Sequence, residues 1–511
     1  MNFHSILFEA PVENEEPEVT DAPSFFVDLN LDQIVDAILK GKEEYNLKPF
    51  LLNPLKSLEA IQYRHEILRD LGNDILLNNL GLFAERMRAV RTHHAQADRL
   101  RHKYQKQAWF LNAASTYLEA INLLSRDVSR ADLKSRGMVA FREYLRDYLE
   151  SDSFELLVKD TASVQAQLAK VKYCILIQSN SFTVRKYDNE ADYSEEVRKL
   201  FTKFEAAAAK DYRVKFSTWP EMNPIEEKIL DFVAQLYPET FLRLDNYCGT
   251  HHEYLDNAIR RFDREIQFYV AYLEYISRFT QAGFKFCYPE MSYSGSGIYS
   301  YESFDLALAN SLLTERATTV CNDFYLRNNE RIFLVSGPNQ GGKTTFARTF
   351  GQLHYLASLG CAVPGSRARL LLFDKLFTHF EQEETLSTLG SALEESLKRV
   401  YAMLREATSR SIIVMNEIFT STTLQDALFL SRQVLNRVMA LDSLCVCVTF
   451  VDELASMSEK VVSMVSTVTP GNPQLRTYKI ARKPADGLAW AISIAEKHQL
   501  TYSQLKERLR L

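Results

Sequence analysis

The sequence contains no apolar run that approaches the roughly 18–20 residues needed to span a membrane, so we expect no membrane partner. Its seven cysteines are scattered and odd in number, which argues against a disulfide framework and predicts a reduced, cytoplasmic setting. A formal net charge of −6 excludes a protein that is basic throughout, so any nucleic-acid surface must be local. The 511 residues are too many for one core and predict roughly two to four domains.

Glycine and proline are scarce between residues 29 and 282, where apolar residues recur at three- and four-residue spacings. This pattern predicts a mostly α-helical core and lever domain over residues 29–282, after a loosely ordered lead-in over residues 1–28. Val171–Val184 is rich in β-branched and aromatic residues and predicts a small β insert near residues 171–190. Long helices are predicted at Leu51–Leu71, Leu82–Gln107, Ala114–Leu149, Ser194–Asp211 and His251–Ala282.

Beyond a loop-rich junction near Gly283, short apolar strands alternate with helices. This alternation is typical of a mostly parallel sheet with helices on both faces, so we predict an α/β domain over residues 283–484. Residues 485–511 are predicted to form a C-terminal helical pair. The predicted strands are Ile332–Val335, Ala368–Phe380, Ser411–Met415, Leu444–Thr449 and Gln474–Ile480.

The segment from Phe333 to Thr345 has the pattern of an apolar strand, a glycine-rich turn and the start of a helix, with the spacing G-x-x-x-x-G-K-[ST]. Its three glycines let the backbone aim N–H groups at phosphate oxygens. Lys343 adds a charge at the β- and γ-phosphates, and the hydroxyl of Thr344 is available to Mg²⁺. A helix that begins at Thr344 or Thr345 adds its N-terminal partial charge. The domain over residues 283–484 is therefore predicted to be a P-loop NTPase that takes ATP and Mg²⁺.

A second apolar run, Ser411–Met415, ends in Asn416 and Glu417. A carboxylate at a strand end beside a P-loop can orient or deprotonate the attacking water, so Glu417 is our candidate general base. A carboxylate is usual at the position of Asn416, because an anion holds the Mg²⁺ shell better than a neutral amide. After desolvation the net loss is roughly 1–3 kcal/mol, and each ~1.4 kcal/mol is about tenfold. This loss favours slow hydrolysis or weak metal binding.

Several segments resemble one known family. The loop Ser336–Thr345 resembles T-G-P-N-M-G-G-K-S-T, and Gly360–Pro364 is similar to G-x-x-V-P. Asn416–Ile418 falls on a D-E-I-G-R-G block, and Leu51–Leu55 resembles the start of a core domain. These are motifs of the MutS family, the ATPases of DNA mismatch repair and their relatives. Because only about 30 residues precede the core-like pattern, we expect core, lever and ATPase parts without the N-terminal mismatch-reading domain.

The resemblance implies roles for individual residues. It makes Lys343 and Glu417 catalytic, and Thr344 and Asn416 the ligands of Mg²⁺. Ser391 stands at the position of the family's signature serine, which would contact the γ-phosphate of the partner subunit. The implied ATP-binding set is Gly337, Pro338, Asn339, Gly341, Gly342, Lys343, Thr344, Thr345 and, in trans, Ser391.

The chain departs from the family pattern near these residues. Phe450 replaces the histidine that senses the γ-phosphate, and Phe419–Ser421 replaces the Gly-Arg-Gly that follows the general base. Ala392-Leu393 stands where the family has Thr-Phe after the signature serine. Residues 485–511 resemble the family's dimerisation element, which implies a homodimer.

The stretch Arg86–Lys106 carries seven Arg and Lys residues and one internal acid, Asp98. A helix here either lines a surface that follows DNA phosphates or is a solvated face paired with acidic neighbours. The sequence alone does not decide between these two interpretations.

We therefore expect a MutS-like ATPase that binds structured (branched or looped) DNA as a homodimer, with its ATP state controlling clamp closure. Three alternatives stay open. A nucleotide-gated interaction protein with little turnover is favoured by Asn416, Phe450 and the altered Phe419–Ser421 loop. A second alternative is a factor that acts on structured RNA or ribosomes, although the sequence has no recognisable single-stranded-RNA module to support it. A small-molecule kinase would need an acceptor-site motif, and none is visible.

Overall fold

The computed structural model describes residues 3–9, 22–178, 181–189, 222–315, 319–380, 392–469, 472–484, 500–502 and 505–506. The chain divides into two compact units. The first consists of Met1–Phe3, Asn73–Leu133 and Met138–Asp263, and the second of His4–Gly72, Lys134–Gly137 and Arg264–Leu511. Residues 4–72 and 264–282 thus group with the P-loop part of the chain. The domain boundaries at residues 28, 282 and 484 stay a prediction.

Long α-helices dominate the described chain before residue 282, as the apolar periodicity predicts. None of the described helices is both long and apolar enough to cross a bilayer. In chain order the α-helices are α1 (Phe25–Asp28), α2 (Leu31–Leu39), α3 (Lys48–Leu52), α4 (Leu58–Asp70), α5 (Asp74–Arg99), α6 (Lys103–Arg130), α7 (Arg136–Leu149), α8 (Asp152–Leu168), α9 (Pro224–Leu236), α10 (Pro238–Thr250), α11 (Asn257–Gln281), α12 (Leu306–Thr314), α13 (Lys343–Ser358), α14 (Ala392–Glu406) and α15 (Leu424–Leu441), with short 3₁₀ helices at Glu43–Tyr45 and Asp452–Ser456.

Three predicted helices are each interrupted. The helix predicted at Leu82–Gln107 is shared between α5 and α6, because Leu100 between them is extended (φ −73°, ψ 152°). The helix predicted at Ala114–Leu149 is shared between α6 and α7, because Ala131 is likewise extended (φ −77°, ψ 139°). Neither of these two breaks contains glycine or proline, so no breaker residue marks it. The third, Leu51–Leu71, is divided between α3 and α4 by residues 53–57, which include Pro54. A fourth predicted helix, Ser194–Asp211, lies outside the described residues.

The strands form one large and several small sheets. In chain order they are β1 (Tyr173–Gln178), β2 (Ser181–Lys186), β3 (Phe286–Cys287), β4 (Glu290–Ser292), β5 (Tyr299–Ser303), β6 (Asn322–Tyr325), β7 (Ile332–Ser336), β8 (Val363–Pro364), β9 (Arg367–Leu371), β10 (Leu376–Phe380), β11 (Ile412–Asn416), β12 (Leu444–Val448), β13 (Val461–Thr469) and β14 (Asn472–Arg482). β1 and β2 form an antiparallel hairpin inside the segment where a β insert is predicted.

The large sheet has the strand order β10–β11–β12–β7–β13–β14. Its first five strands are parallel, and β14 joins the edge antiparallel to β13. A helical region followed by a mostly parallel sheet is the fold class that the sequence predicts. One predicted strand, Ala368–Phe380, is instead two: β9 belongs to a four-stranded sheet with the order β4–β9–β5–β6, and β10 begins the large sheet. Because β7, β11 and β12 run parallel as neighbours, their carboxyl ends lie at one edge.

The strand that leads into the glycine-rich loop is buried on both faces. On one face Phe333 packs against Phe346 and Phe350 of α13, with ring centroids 6.2 and 5.9 Å apart. Ile332 and Leu334 belong to the core on the opposite face. Other members of that core are Val400, Met403, Leu435, Val438, Cys445 and Cys447. Cys445 and Cys447 are therefore core residues, and β7 is held in place by packing on both sides.

Candidate nucleotide-binding site

The glycine-rich loop follows β7 directly and passes into α13. Gly337 and Gly342 have φ angles of 113° and 87°, which glycine adopts without strain. Gly341 is required by space, because a Cβ atom there would lie 2.2 Å from Ser466 Oγ and 2.9 Å from the oxygen of Pro338. The helix begins at Lys343, one or two residues before the predicted start. The loop thus lies between a strand and a helix, which is the structural context that its sequence motif requires.

Ser466 braces this loop from the neighbouring strand β13. Its Oγ donates a hydrogen bond of 2.7 Å to the carbonyl of Gly341, and its side chain is fully buried. The pairing of Val465 with Ser336 sets β13 beside β7 and brings the serine under the loop. Sequence reasoning missed this residue, because a lone serine in an apolar strand carries no signal of such a role.

Lys343 lies across the inside of the loop. Its Nζ donates to the carbonyls of Gly337 (3.0 Å) and Pro338 (3.3 Å) and to Asn339 Oδ1 (3.4 Å). The Phe450 ring covers the same ammonium, with its centroid 4.7 Å from Nζ. Burial lowers the pKa of Lys343, and the nearby Glu417 carboxylate opposes that shift. The Lys343 ammonium is buried among oxygen atoms of its own loop, and from this position it can donate hydrogen bonds to phosphate oxygens.

Thr344, in the first turn of α13, contacts Asn416 at the carboxyl end of β11. Thr344 Oγ1 donates to Asn416 Oδ1 over 2.9 Å. Mg²⁺ prefers oxygen ligands at about 2.0–2.1 Å in an octahedron, in which adjacent ligand oxygens are about 3 Å apart. The hydroxyl and the amide oxygen therefore fit two adjacent positions of such a shell. Among the described residues no group of three or more His, Cys, Asp and Glu side chains offers another metal site.

Glu417 occupies a strained turn at the end of β11. Its φ is 55°, a left-handed value that is uncommon for residues other than glycine, and Phe419 repeats it with 61°. The Glu417 N–H donates to the carbonyl of Val448 on β12, over 2.9 Å, which fixes the turn. Phe419, one of the residues that depart from the family pattern, is 1% exposed and fills the core beneath. The turn therefore places Glu417 beside the glycine-rich loop, and the buried side chain of Phe419 holds the turn against the core.

These residues surround a cleft of about 330 Å³. Its lining consists of Leu308, Asn339, Gln340, Gly341, Gly342, Lys343, Thr344, Thr345, Glu417 and Tyr478. Of the predicted binding set, Gly337 and Pro338 begin the loop behind the cleft, and Asn416 contacts it through Thr344. Ser391 lies outside the described residues, so its contact in trans stays a prediction. The structure thus brings the other predicted site residues together.

Sequence reasoning missed the two side chains at the rim of this cleft. Leu308 belongs to α12, whose first turn is held by Asp305 Oδ1, which accepts from the Leu308 N–H over 3.0 Å. Tyr478 lies on β14 with φ 57° and is half-exposed. Asn322 Nδ2 donates to its carbonyl over 3.1 Å. Both residues are distant from the loop in sequence, so only the topology brings them to it.

The basic stretch of the first unit is divided by the break at Leu100. Arg91 pairs with Asp263, and Lys103 Nζ lies 2.7 Å from Asp245 Oδ2. His102 Nε2 lies 3.1 Å from Asp231 Oδ1. Several of the basic side chains are thus paired with acids, which supports the second of the two interpretations given above. Residues 86–106 do not form one helix, and a contact of this stretch with DNA phosphates stays a prediction.

A parallel sheet with this glycine-rich loop between strand and helix places the second unit in the class of P-loop NTPase folds. Residues 333–504 match the family model described as MutS domain V. This part of the chain, about a third of its length, is thus similar to the MutS family.

Individual relatives match part of the chain. The DNA mismatch repair protein MutS of Orientia tsutsugamushi (strain Ikeda) is 27% identical over 224 residues, which are 42% of this chain and 24% of the relative. The protein of the same name from Thermotoga maritima is 26% identical over 212 residues, 40% of this chain and 25% of the relative. The DNA mismatch repair protein MSH3 of Eremothecium gossypii is 28% identical over 137 residues, 27% of this chain and 13% of the relative. The chain thus spans about a quarter or less of the length of these relatives.

Proposed function

We propose that this chain binds ATP with Mg²⁺ in the cleft above the glycine-rich loop and hydrolyses it slowly. The observation that carries the proposal is the convergence of Lys343, Thr344, Asn416 and Glu417 at the carboxyl ends of neighbouring parallel strands. Ligands of open α/β sheets bind in such a crevice at the strand ends. The strained backbone at Glu417 supports a functional role for this residue, because such conformations cluster at active sites.

In the proposed reaction a water molecule attacks the γ-phosphorus and ADP leaves. Glu417 orients this water and accepts its proton, since it is the carboxylate that lines the cleft. Lys343 exchanges its loop carbonyl contacts for phosphate oxygens and stabilises their charge. When bound at Thr344 and Asn416, Mg²⁺ supplies charge stabilisation at the β- and γ-phosphates. The base of the nucleotide rests between the apolar rim residues Leu308 and Tyr478.

For the whole protein we propose binding of structured DNA, branched or looped, as a homodimer whose ATP state controls closure around the DNA. Residues 333–504 match MutS domain V, and the relatives described above are named DNA mismatch repair proteins, which supports DNA as the partner. A second candidate is a nucleotide-gated interaction protein with little turnover. The neutral Asn416 beside Thr344 and the contact of Lys343 with Phe450 favour it.

Steady-state hydrolysis of ATP with Mg²⁺ tests these proposals. We would measure it alone, with duplex DNA, with branched DNA and with ribosomal particles. If branched DNA changes the rate of ATP turnover more than duplex DNA does, the result supports the DNA-coupled ATPase. Tight ATP binding without turnover under every condition supports the nucleotide-gated interaction protein instead. A response to ribosomal particles alone contradicts DNA as the partner.

Asn416→Asp should strengthen metal binding and raise turnover. A carboxylate at this position supplies an anionic ligand next to Thr344. We therefore expect kcat to rise roughly tenfold, or the Mg²⁺ concentration needed for half-maximal rate to fall roughly tenfold. A magnesium titration of ATP hydrolysis measures both quantities. Asn328→Asp is the matched control, because it adds the same charge in a turn outside the cleft lining. An Asn416→Asp protein with wild-type kcat and magnesium dependence contradicts the metal-ligand role.

A further inference from the structure

The ammonium of Lys343 has all of its hydrogen-bonding capacity engaged within its own loop. An ammonium group has three donors, and Nζ has three acceptors, the carbonyls of Gly337 and Pro338 and the side chain of Asn339. The Phe450 ring occupies a further side of the same group. A phosphate oxygen can reach Nζ only by displacing one of these four neighbours.

Phe450 is held at this place by its neighbours in sequence. Thr449 N–H donates to the carbonyl of Val335, at the end of β7, over 3.0 Å. Val451 N–H donates to Thr449 Oγ1 over 3.0 Å, and the Val451 side chain is buried in the core. The chain is therefore fixed on both sides of Phe450, while the ring itself is 48% exposed. The backbone thus brings the ring to Lys343, and no core packing locks it there.

We infer that Phe450 sets the preference of this site between nucleoside diphosphates and triphosphates, by occupying the side of Lys343 that a third phosphate needs. The inference rests on the proposed nucleotide site and concerns its selectivity. An aromatic face attracts an ammonium and repels an anion, and a phenyl ring offers no hydrogen-bond donor to a phosphate. A triphosphate places more oxygens around the lysine than a diphosphate does, so it competes more strongly with the ring for the ammonium.

The selectivity should show in the ratio of the dissociation constants for ATP and ADP. Cation–π contacts of this kind correspond to a change of roughly 3- to 30-fold, about 0.7–2 kcal/mol at about 1.4 kcal/mol per tenfold. We expect Phe450→Ala to lower the ratio Kd(ATP)/Kd(ADP) by that factor. Phe450→Leu, which keeps apolar bulk without a ring, should behave like Phe450→Ala. Phe450→Trp, which keeps an aromatic face, should retain the wild-type preference.

Titration calorimetry of the full chain with Mg-ATP and with Mg-ADP measures these ratios. Phe429→Ala is the matched control, because Phe429 is likewise an exposed phenylalanine but lies on α15, whereas the Phe450 ring contacts Lys343. An unchanged ratio in Phe450→Ala, with nucleotide still bound, overturns the inference. If Kd(ATP)/Kd(ADP) falls in Phe450→Ala and not in Phe450→Leu, the aromatic contact is not the cause of the preference. A wild-type chain that binds neither nucleotide would overturn the nucleotide site itself, which separates the two failures.

Discussion

Glu417→Gln is expected to lower the turnover number for ATP by roughly 10²–10⁴-fold, the usual contribution of general acid–base catalysis. The amide keeps the size of the side chain and cannot accept the proton of the attacking water. The left-handed backbone at this position and the hydrogen bond from its N–H to Val448 belong to the main chain, so the substitution leaves both in place. We expect the affinity for ATP to stay within a few-fold of wild type, because Lys343 and Thr344 are unchanged.

The measurement is steady-state phosphate release with Mg²⁺, accompanied by a binding titration of each protein. Glu453→Gln is a suitable control, because it makes the same chemical change at an exposed position of the Asp452–Ser456 helix. Full activity in Glu417→Gln would remove this residue from the reaction. Loss of both binding and activity would instead assign it a structural role in the loop.

Lys343→Ala is expected to weaken the binding of ATP and ADP by at least about 100-fold. Each hydrogen bond to a charged group contributes about 1.5–3 kcal/mol, and this ammonium is placed to make at least two such bonds to phosphate. The substitution leaves the carbonyls of Gly337 and Pro338 next to an open cleft, where water can take the place of the ammonium. The fold should therefore persist, and a thermal melt checks it.

Fluorescence titration with a labelled ATP analogue measures this loss. Lys375→Ala provides the control, because Lys375 is an exposed lysine of the same unit that pairs with Glu406 away from the cleft. Equal affinity in the wild-type and Lys343→Ala proteins would mean that the nucleotide binds elsewhere. A loss shared by Lys375→Ala would point to a general electrostatic effect of net charge.

The features of the site that follow from local sequence could be predicted. A glycine-rich turn between an apolar strand and a helix is specified by residues that are adjacent in the chain, and so are Asn416 and Glu417 at a strand end. The three residues that were missed come from other segments. Leu308, Ser466 and Tyr478 reach the loop only because β13 and β14 extend the sheet beside β7 and α12 packs nearby.

The fold shows the same division between local and long-range information. Apolar periodicity predicts the helices, and the extended residues Leu100 and Ala131 that interrupt them have ordinary side chains. The strand predicted at Ala368–Phe380 is divided near Asp374, whose carboxylate accepts hydrogen bonds from Thr408 and Ser411. These contacts join distant segments, and no local pattern records them. The trans contact of Ser391 and dimerisation through residues 485–511 stay predictions.

The most direct test of the central claim is a crystal structure of the full chain with Mg²⁺ and a non-hydrolysable ATP analogue. We predict phosphate oxygens within hydrogen-bonding distance of Lys343 Nζ, the metal ion at Thr344, and Glu417 facing the γ-phosphate. We also predict that the Phe450 ring has left the ammonium. A nucleotide bound elsewhere, or phosphates in the cleft without contact to Lys343, would contradict the account.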